Sequence, residues 1–102
     1  MMQFIITAYD GSDQGALSRR MSVRPRHLEN MRSVMAHNKV LCAGGITNEE
    51  GTPIGSFLIM EFPSREQLDK YLETEPYVTE NVWQSIKVEP CTAVIIQNAM
   101  NG

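Results

Sequence analysis

Cysteine is scarce in this sequence and badly placed for chemistry. Cys42 and Cys91 are far apart, with no C-x-x-C spacing and no histidine pair beside either. That argues against zinc and provides no disulfide framework, so a reduced, cytoplasmic chain is expected, its two thiols inert and buried in strand-like stretches. Long apolar runs are missing too. None approaches the roughly 18 residues of a membrane span, and Met1-Met2-Gln3-Phe4 lacks the basic start and apolar stretch of a secretion signal. Gly44-Gly45 has no helix directly after it, so it is not a phosphate-cradling loop and more simply marks a bulge or a close backbone approach. Asp10-Gly-Ser-Asp-Gln-Gly15 is oxygen-rich, but its spacing and the missing final glutamate exclude a calcium loop. No Ser or Cys triad, metal cluster or nucleotide fingerprint is visible. Metal and cofactor are therefore both expected to be absent.

What remains is an ordinary mixture, 42% apolar and 21% charged over 102 residues. That length supports one core, and residues 1–102 are expected to form a single domain. Gln3–Tyr9 alternates as a strand does. A helix is expected from about Pro25 to Asn38. Pro25 suits a first turn because its missing N–H would have no partner there, and Ser22 is a nearby cap. Leu28, Met31 and Met35 would form its inward stripe, with Glu29, Asn30, Ser33 and His37 on the wet side. Lys39–Thr47 and Gly55–Phe62 read as strands around an Asn48–Pro53 turn.

Ser64-Arg-Glu-Gln67 is a capping-box pattern that opens a second helix with Leu68, Tyr71 and Leu72 inward. Glu75-Pro76 ends it, because a residue before proline leaves the helical region. Residues 81–86 would connect to a last strand at 87–98. The order is β-α-β-β-α-β, an α+β, ferredoxin-like fold: a four-stranded antiparallel sheet with both helices on one face. Phe57-Leu-Ile-Met60 and Ala93-Val-Ile-Ile96 are apolar on both faces, although the helices cover only one. A homodimer through the open sheet face follows as the expectation.

Positive charge is gathered in one place. Residues 14–48 hold six Lys or Arg against the single acid Glu29, whereas the rest of the chain holds three against eleven. A solvated basic surface is one reading. A pocket for a small anion, with forked guanidinium donors, is the other. Nucleic acid fits less well, since the chain is net −3 and no aromatics alternate with the arginines. His27 flanks the inward stripe, where a histidine is commonly structural unless it has a partner. Glu75 lies at a chain break, and its plain reading is a helix terminator.

Arg24-Pro25-x-His27-Leu28, Ala43-Gly44-Gly45 and Glu75-Pro76-Tyr77 together resemble the YciI-like proteins, dimeric α+β barrels related to the muconolactone isomerase-like fold. The resemblance covers nearly the whole chain. It implies a catalytic pair of His27 on the first helix and an acid at Glu75, where the family usually has Asp in a D-P-Y motif. Glu is one methylene longer, which leaves the pair's geometry to be established.

A carboxylate held against one imidazole nitrogen fixes the tautomer and strengthens the other nitrogen as a base. Such a pair would support proton transfer: isomerisation of, or elimination from, a small lactone or carboxylic acid. Arg24 and Arg20 would hold the substrate's anionic group, while Tyr77 and Trp83 would wall the pocket. A ligand-binding or accessory module without turnover is the alternative. A heme-binding relative fits least, because His27 would be its only axial ligand and arginines crowd it.

Overall fold

A computed structural model describes residues 1–96 and 99–100. Four strands, β1 (Met2–Asp10), β2 (Lys39–Thr47), β3 (Pro53–Phe62) and β4 (Trp83–Cys91), form one sheet in the order β2-β3-β1-β4. Every neighbouring pair is antiparallel. The helices α1 (Ala16–Met35) and α2 (Arg65–Thr74) pack on one face of it, with a single extra turn, α3 (Pro76–Thr79), following α2. The α+β, ferredoxin-like arrangement is thus the one read from the sequence.

Alternation decides which face is which. Phe4, Ile6 and Ala8 of β1 and Leu58, Met60 and Phe62 of β3 are buried beneath the helices. Their register neighbours Ile5 and Ile59 pair with each other on the opposite face and stay half-buried. α2 adds Leu68 and Tyr71 to the core, and its N-terminus is capped as expected, Ser64 Oγ accepting from the Gln67 N–H at 3.2 Å.

Three boundaries differ most from the sequence reading. α1 begins nine residues before Pro25, which lies inside the helix and not in its first turn. Ser22 caps nothing; its hydroxyl donates to the Arg19 carbonyl within α1. The buried residues of α1 are Arg20, Val23 and Met31. The first two turns therefore face the sheet with an arginine, which a count of apolar spacings passes over. Pro25 is exposed, so the carbonyl it leaves unpaired one turn earlier can be met by water. Met35, expected inward, is 58% exposed, and Val34 packs against the core in its place.

The last strand starts at Trp83, within the stretch read as a connector, and leaves the sheet at Cys91. The apolar run after it forms a separate two-stranded piece, β5 (Ile95–Ile96) with β6 (Ala99–Met100). It is not part of the four-stranded sheet, and Gln97 and Asn98 lie outside the described residues. α3 was not legible beforehand.

The cysteines also differ, with Cys42 exposed and Cys91 half-buried. Both belong to edge strands, and Cys42 sits beside a register irregularity in β2. Gly44 is a close approach as expected: a Cβ there would stand 2.7 Å from the tip of the Phe57 ring. No helix of the described residues is long and apolar enough to cross a membrane.

Candidate active site

The site begins with a run of small residues. Ala43 and Gly45 on β2, register partners of Leu58 and Ser56, face α1 without side chains large enough to fill the gap, and a cavity of about 300 Å³ remains. α1 contributes Arg20, Arg24, His27 and Met31 to its lining, β3 contributes Ser56 and Leu58, and α3 contributes Tyr77.

His27 is fixed from behind. Its Nδ1 lies 2.6 Å from Glu75 Oε1, a carboxylate whose side chain is wholly buried. Two further donors converge on Glu75: the Tyr77 backbone N–H on Oε1 at 3.1 Å and the Tyr71 hydroxyl on Oε2 at 2.5 Å. With these two groups donating to it, the Glu75 carboxyl presents an acceptor oxygen to Nδ1, which then carries the proton and donates it. The other imidazole nitrogen has no partner among the described residues, on a ring that lines the cavity.

The local chain explains why Glu75 stands there. Pro76 forces Glu75 into extended backbone at the end of α2, and the same residue then caps α3 with its side chain. A helix terminator thereby becomes the point where α2, α3 and α1 meet. The longer Glu arm at this position reaches His27 without difficulty.

The aromatic residues stack around the imidazole. Tyr77 lies against His27 with ring centroids 4.1 Å apart and planes 10° from parallel. Burial pushes the Tyr77 phenol above its ordinary value, opposed by the charges of Arg20 and Arg24, so it is a neutral hydroxyl at physiological pH. Trp83, expected as a wall, does not line the cavity. It is buried with an edge toward His27 and Tyr77, and its indole N–H donates to Ser56 Oγ at 3.1 Å.

The arginines divide. Arg19 pairs with Asp13 and Arg26 with Glu80 at the surface. Arg20 is 6% exposed and committed within the protein. One of its nitrogens donates to both Asp10 oxygens at 3.0 and 3.1 Å, the other donates to Ser56 Oγ at 2.9 Å, and its guanidinium lies over the Tyr77 ring. It lines the cavity but is already satisfied. Arg24 is exposed, lines the cavity and has no partner among the described residues. Three of the six basic residues of the stretch are therefore paired with acids, and of the two arginines that line the cavity Arg24 alone stays open to an anion.

Sequence reasoning missed Asp10, Ser56 and Tyr71. Asp10 sits in what reads as a loop, and Ser56 is a small polar residue in an otherwise apolar strand. Tyr71 was placed inward, but nothing in its spacing marked it as a donor to Glu75. Among the described residues, no three His, Cys, Asp or Glu side chains gather as metal ligands.

Comparison with known proteins identifies the family. A model of the YCII-related domain matches residues 2–92. Protein YciI of Escherichia coli is 33% identical over 95 residues, covering 87% of this chain and 95% of that one. Among solved structures, 5-chloro-2-hydroxyhydroquinone dehydrochlorinase from Burkholderia phenoliruptrix, in complex with 2,5-dihydroxybenzoquinone, superposes with a TM-score of 0.77 at 25% identity. That match covers 89% of this chain and 94% of the dehydrochlorinase. An antibiotic biosynthesis monooxygenase shares the fold alone, with a TM-score of 0.56 at 20% identity, covering 93% of this chain and 100% of its own. With a family model spanning the whole of β1 to β4 and a relative matched along almost its whole length, the chain belongs to the YCII-related domain family.

Proposed function

We propose that the protein is an acid–base enzyme of isomerase or lyase type that needs no cofactor and acts on a small anionic metabolite such as a lactone or carboxylic acid. The observation that carries this reading is the His27–Glu75 contact at 2.6 Å on the wall of a cavity. His27 takes a proton from the substrate at its cavity-side nitrogen, and the carboxylate behind it offsets the positive charge that forms on the ring. The electron pair left behind becomes a new double bond. Either a leaving group departs with its own pair, or His27 returns the proton to a different atom. Arg24 holds the substrate's anionic group. The dehydrochlorinase similarity favours the elimination branch, because that enzyme's name describes loss of hydrogen chloride from a hydroxylated ring.

The working unit in this proposal is a homodimer built through the sheet face opposite the helices. Ile5, Phe57 and Ile59 on that face support it, each half-buried with no helix over it.

Two assays test the chemistry. Small cyclic keto acids and lactones are incubated in D₂O and followed by NMR for loss of the acidic C–H signal, and chloride release is followed from 5-chloro-2-hydroxyhydroquinone. Wild-type protein should catalyse at least one of these. His27→Ala and Glu75→Gln should each slow it by about 10²-fold or more. Equal rates in wild type and His27→Ala would refute the acid–base role. Ligand binding without turnover in any assay would leave a binding module.

A further inference from the structure

The hydrogen-bond inventory around Ser56 is incomplete in one informative way. Arg20 and the Trp83 indole have only hydrogens to give, and both give one to Ser56 Oγ, at 2.9 and 3.1 Å. The two lone pairs of that oxygen are therefore occupied. Its own proton must go elsewhere, yet no acceptor for it occurs among the described residues. Ser56 is only 4% exposed, and it lines the cavity together with His27. A buried hydroxyl with both lone pairs filled and its proton unspent is an oriented donor.

We propose that Ser56 is a substrate-binding residue that donates its hydroxyl proton to a carbonyl oxygen of the ligand. The nearby carboxylates cannot serve as ligand acceptors, because Asp10 is engaged by Arg20 and Glu75 by three donors. Arg24, Ser56 and the Tyr77 hydroxyl instead make the cavity rich in donors, and its remaining walls are largely apolar. The ligand class that fits is a single small ring, or a chain of similar size, with a carbonyl oxygen and a separate anionic group.

The consequence for reaction rests on the acid–base reading above. When His27 takes a proton from the carbon beside that carbonyl, the C–H electron pair forms a carbon–carbon double bond. The carbonyl π pair moves onto oxygen, where Ser56, polarised by the Arg20 cation and the indole, meets the new negative charge. Arg20 and Trp83 are positioning residues in this scheme, since they act through the hydroxyl.

A matched pair of probes tests the binding claim without turnover. The affinities of 4-oxocyclohexanecarboxylate and cyclohexanecarboxylate are measured by calorimetry on wild type, Ser56→Ala and His27→Ala. Wild type should prefer the ketone about tenfold, the size of one good hydrogen bond to a buried donor. Ser56→Ala should bind both acids equally, with the plain acid unchanged, whereas His27→Ala should keep the preference. Should Ser56→Ala fail to fold, Ser56→Cys keeps a side-chain atom for Arg20 and Trp83 to meet and replaces a strong donor with a weak one. It too must lose the preference. A preference that survives in the Ser56 variant, or a wild type that shows none or binds neither acid, overturns the proposal. If the preference behaves as expected while no substrate is turned over, the acid–base reading fails and the Ser56 donor stands.

Discussion

The Tyr71 hydroxyl donates to Glu75 Oε2 at 2.5 Å, one helical turn back along α2 from the residue it supports. Burial, reinforced by the Glu75 charge and hydrogen bond, pushes this phenol far above its ordinary value. It therefore stays a donor at any pH at which the protein would be studied.

The sign of the resulting pH dependence follows. Above about pH 10 the unfolded chain loses its phenolic protons, while folded Tyr71 keeps its own. The native state then binds more protons, so stability falls as pH rises, and the contribution is fully present only below about pH 10. Tyr71→Phe should remove up to about 1.4 kcal/mol per pH unit of that alkaline slope. At pH 7 the same variant should cost about 1–3 kcal/mol, because an oxygen of a buried carboxylate loses its donor. Urea unfolding at pH 7, 10 and 11 separates the two effects. An unchanged alkaline slope would mean that Tyr71 is not the buried phenol responsible.

Arg20 and Asp10 make a second buried contact, with side chains 7% and 3% exposed. Asp10→Asn leaves the guanidinium without its countercharge beneath α1, and a loss of about 3–5 kcal/mol is expected. Glu80→Gln breaks the exposed pair with Arg26, at 42% and 58% exposure, and should cost less than about 1 kcal/mol. Denaturant unfolding of both variants checks the contrast. Similar losses would show that the Arg20 pair is not sealed from water.

Arg24 supplies a prediction about ligands. Small anions that bind the folded protein raise its melting temperature by mass action. In wild type, cyclohexanecarboxylate at a concentration 100 times its dissociation constant should add about 2.7 kcal/mol. Arg24→Ala should lower most of that gain while leaving the unliganded melting temperature nearly unchanged, since Arg24 has no partner among the described residues to lose. Equal stabilisation of both proteins would make Arg24 part of a solvated surface.

The fold was legible because alternation in β1 and β3 and the Ser64 cap are short-range signals that tertiary structure did not override. The start of α1 was not, because its inward stripe includes Arg20, whose burial depends on Asp10 and Ser56 across the sheet. The end of the last strand was misplaced for a related reason. Val94-Ile-Ile96 has the composition of a core strand, but the chain leaves the sheet before reaching it, and apolar composition cannot tell one destination from another. His27 and Glu75 were named from a resemblance, and spacing alone would have left both as structural residues. Ser56 had no signal at all, because its importance lies in the two donors that fill its lone pairs.

The open sheet face carries the last prediction. Ile5 pairs with Ile59 across β1 and β3, Thr7 pairs with Phe57 one step along, and Ile46 of β2 lies half-buried nearby. Lys87 and Glu89 of β4 lie on the same face, opposite Thr7 and Ile5 in register, so the apolar surface runs from β1 toward β2 and is bounded on the β4 side. A second copy related by a two-fold axis would cover the same patch on both chains, as an isologous interface requires. Sedimentation at micromolar concentration should then give twice the 11.5 kDa chain mass. Ile59→Glu puts a charge at the centre of the contact and should give a monomer. Its helices should be unchanged by circular dichroism, because residue 59 points away from them. A wild-type protein that is monomeric and stable at that concentration would leave this apolar surface in water and rule out the dimer.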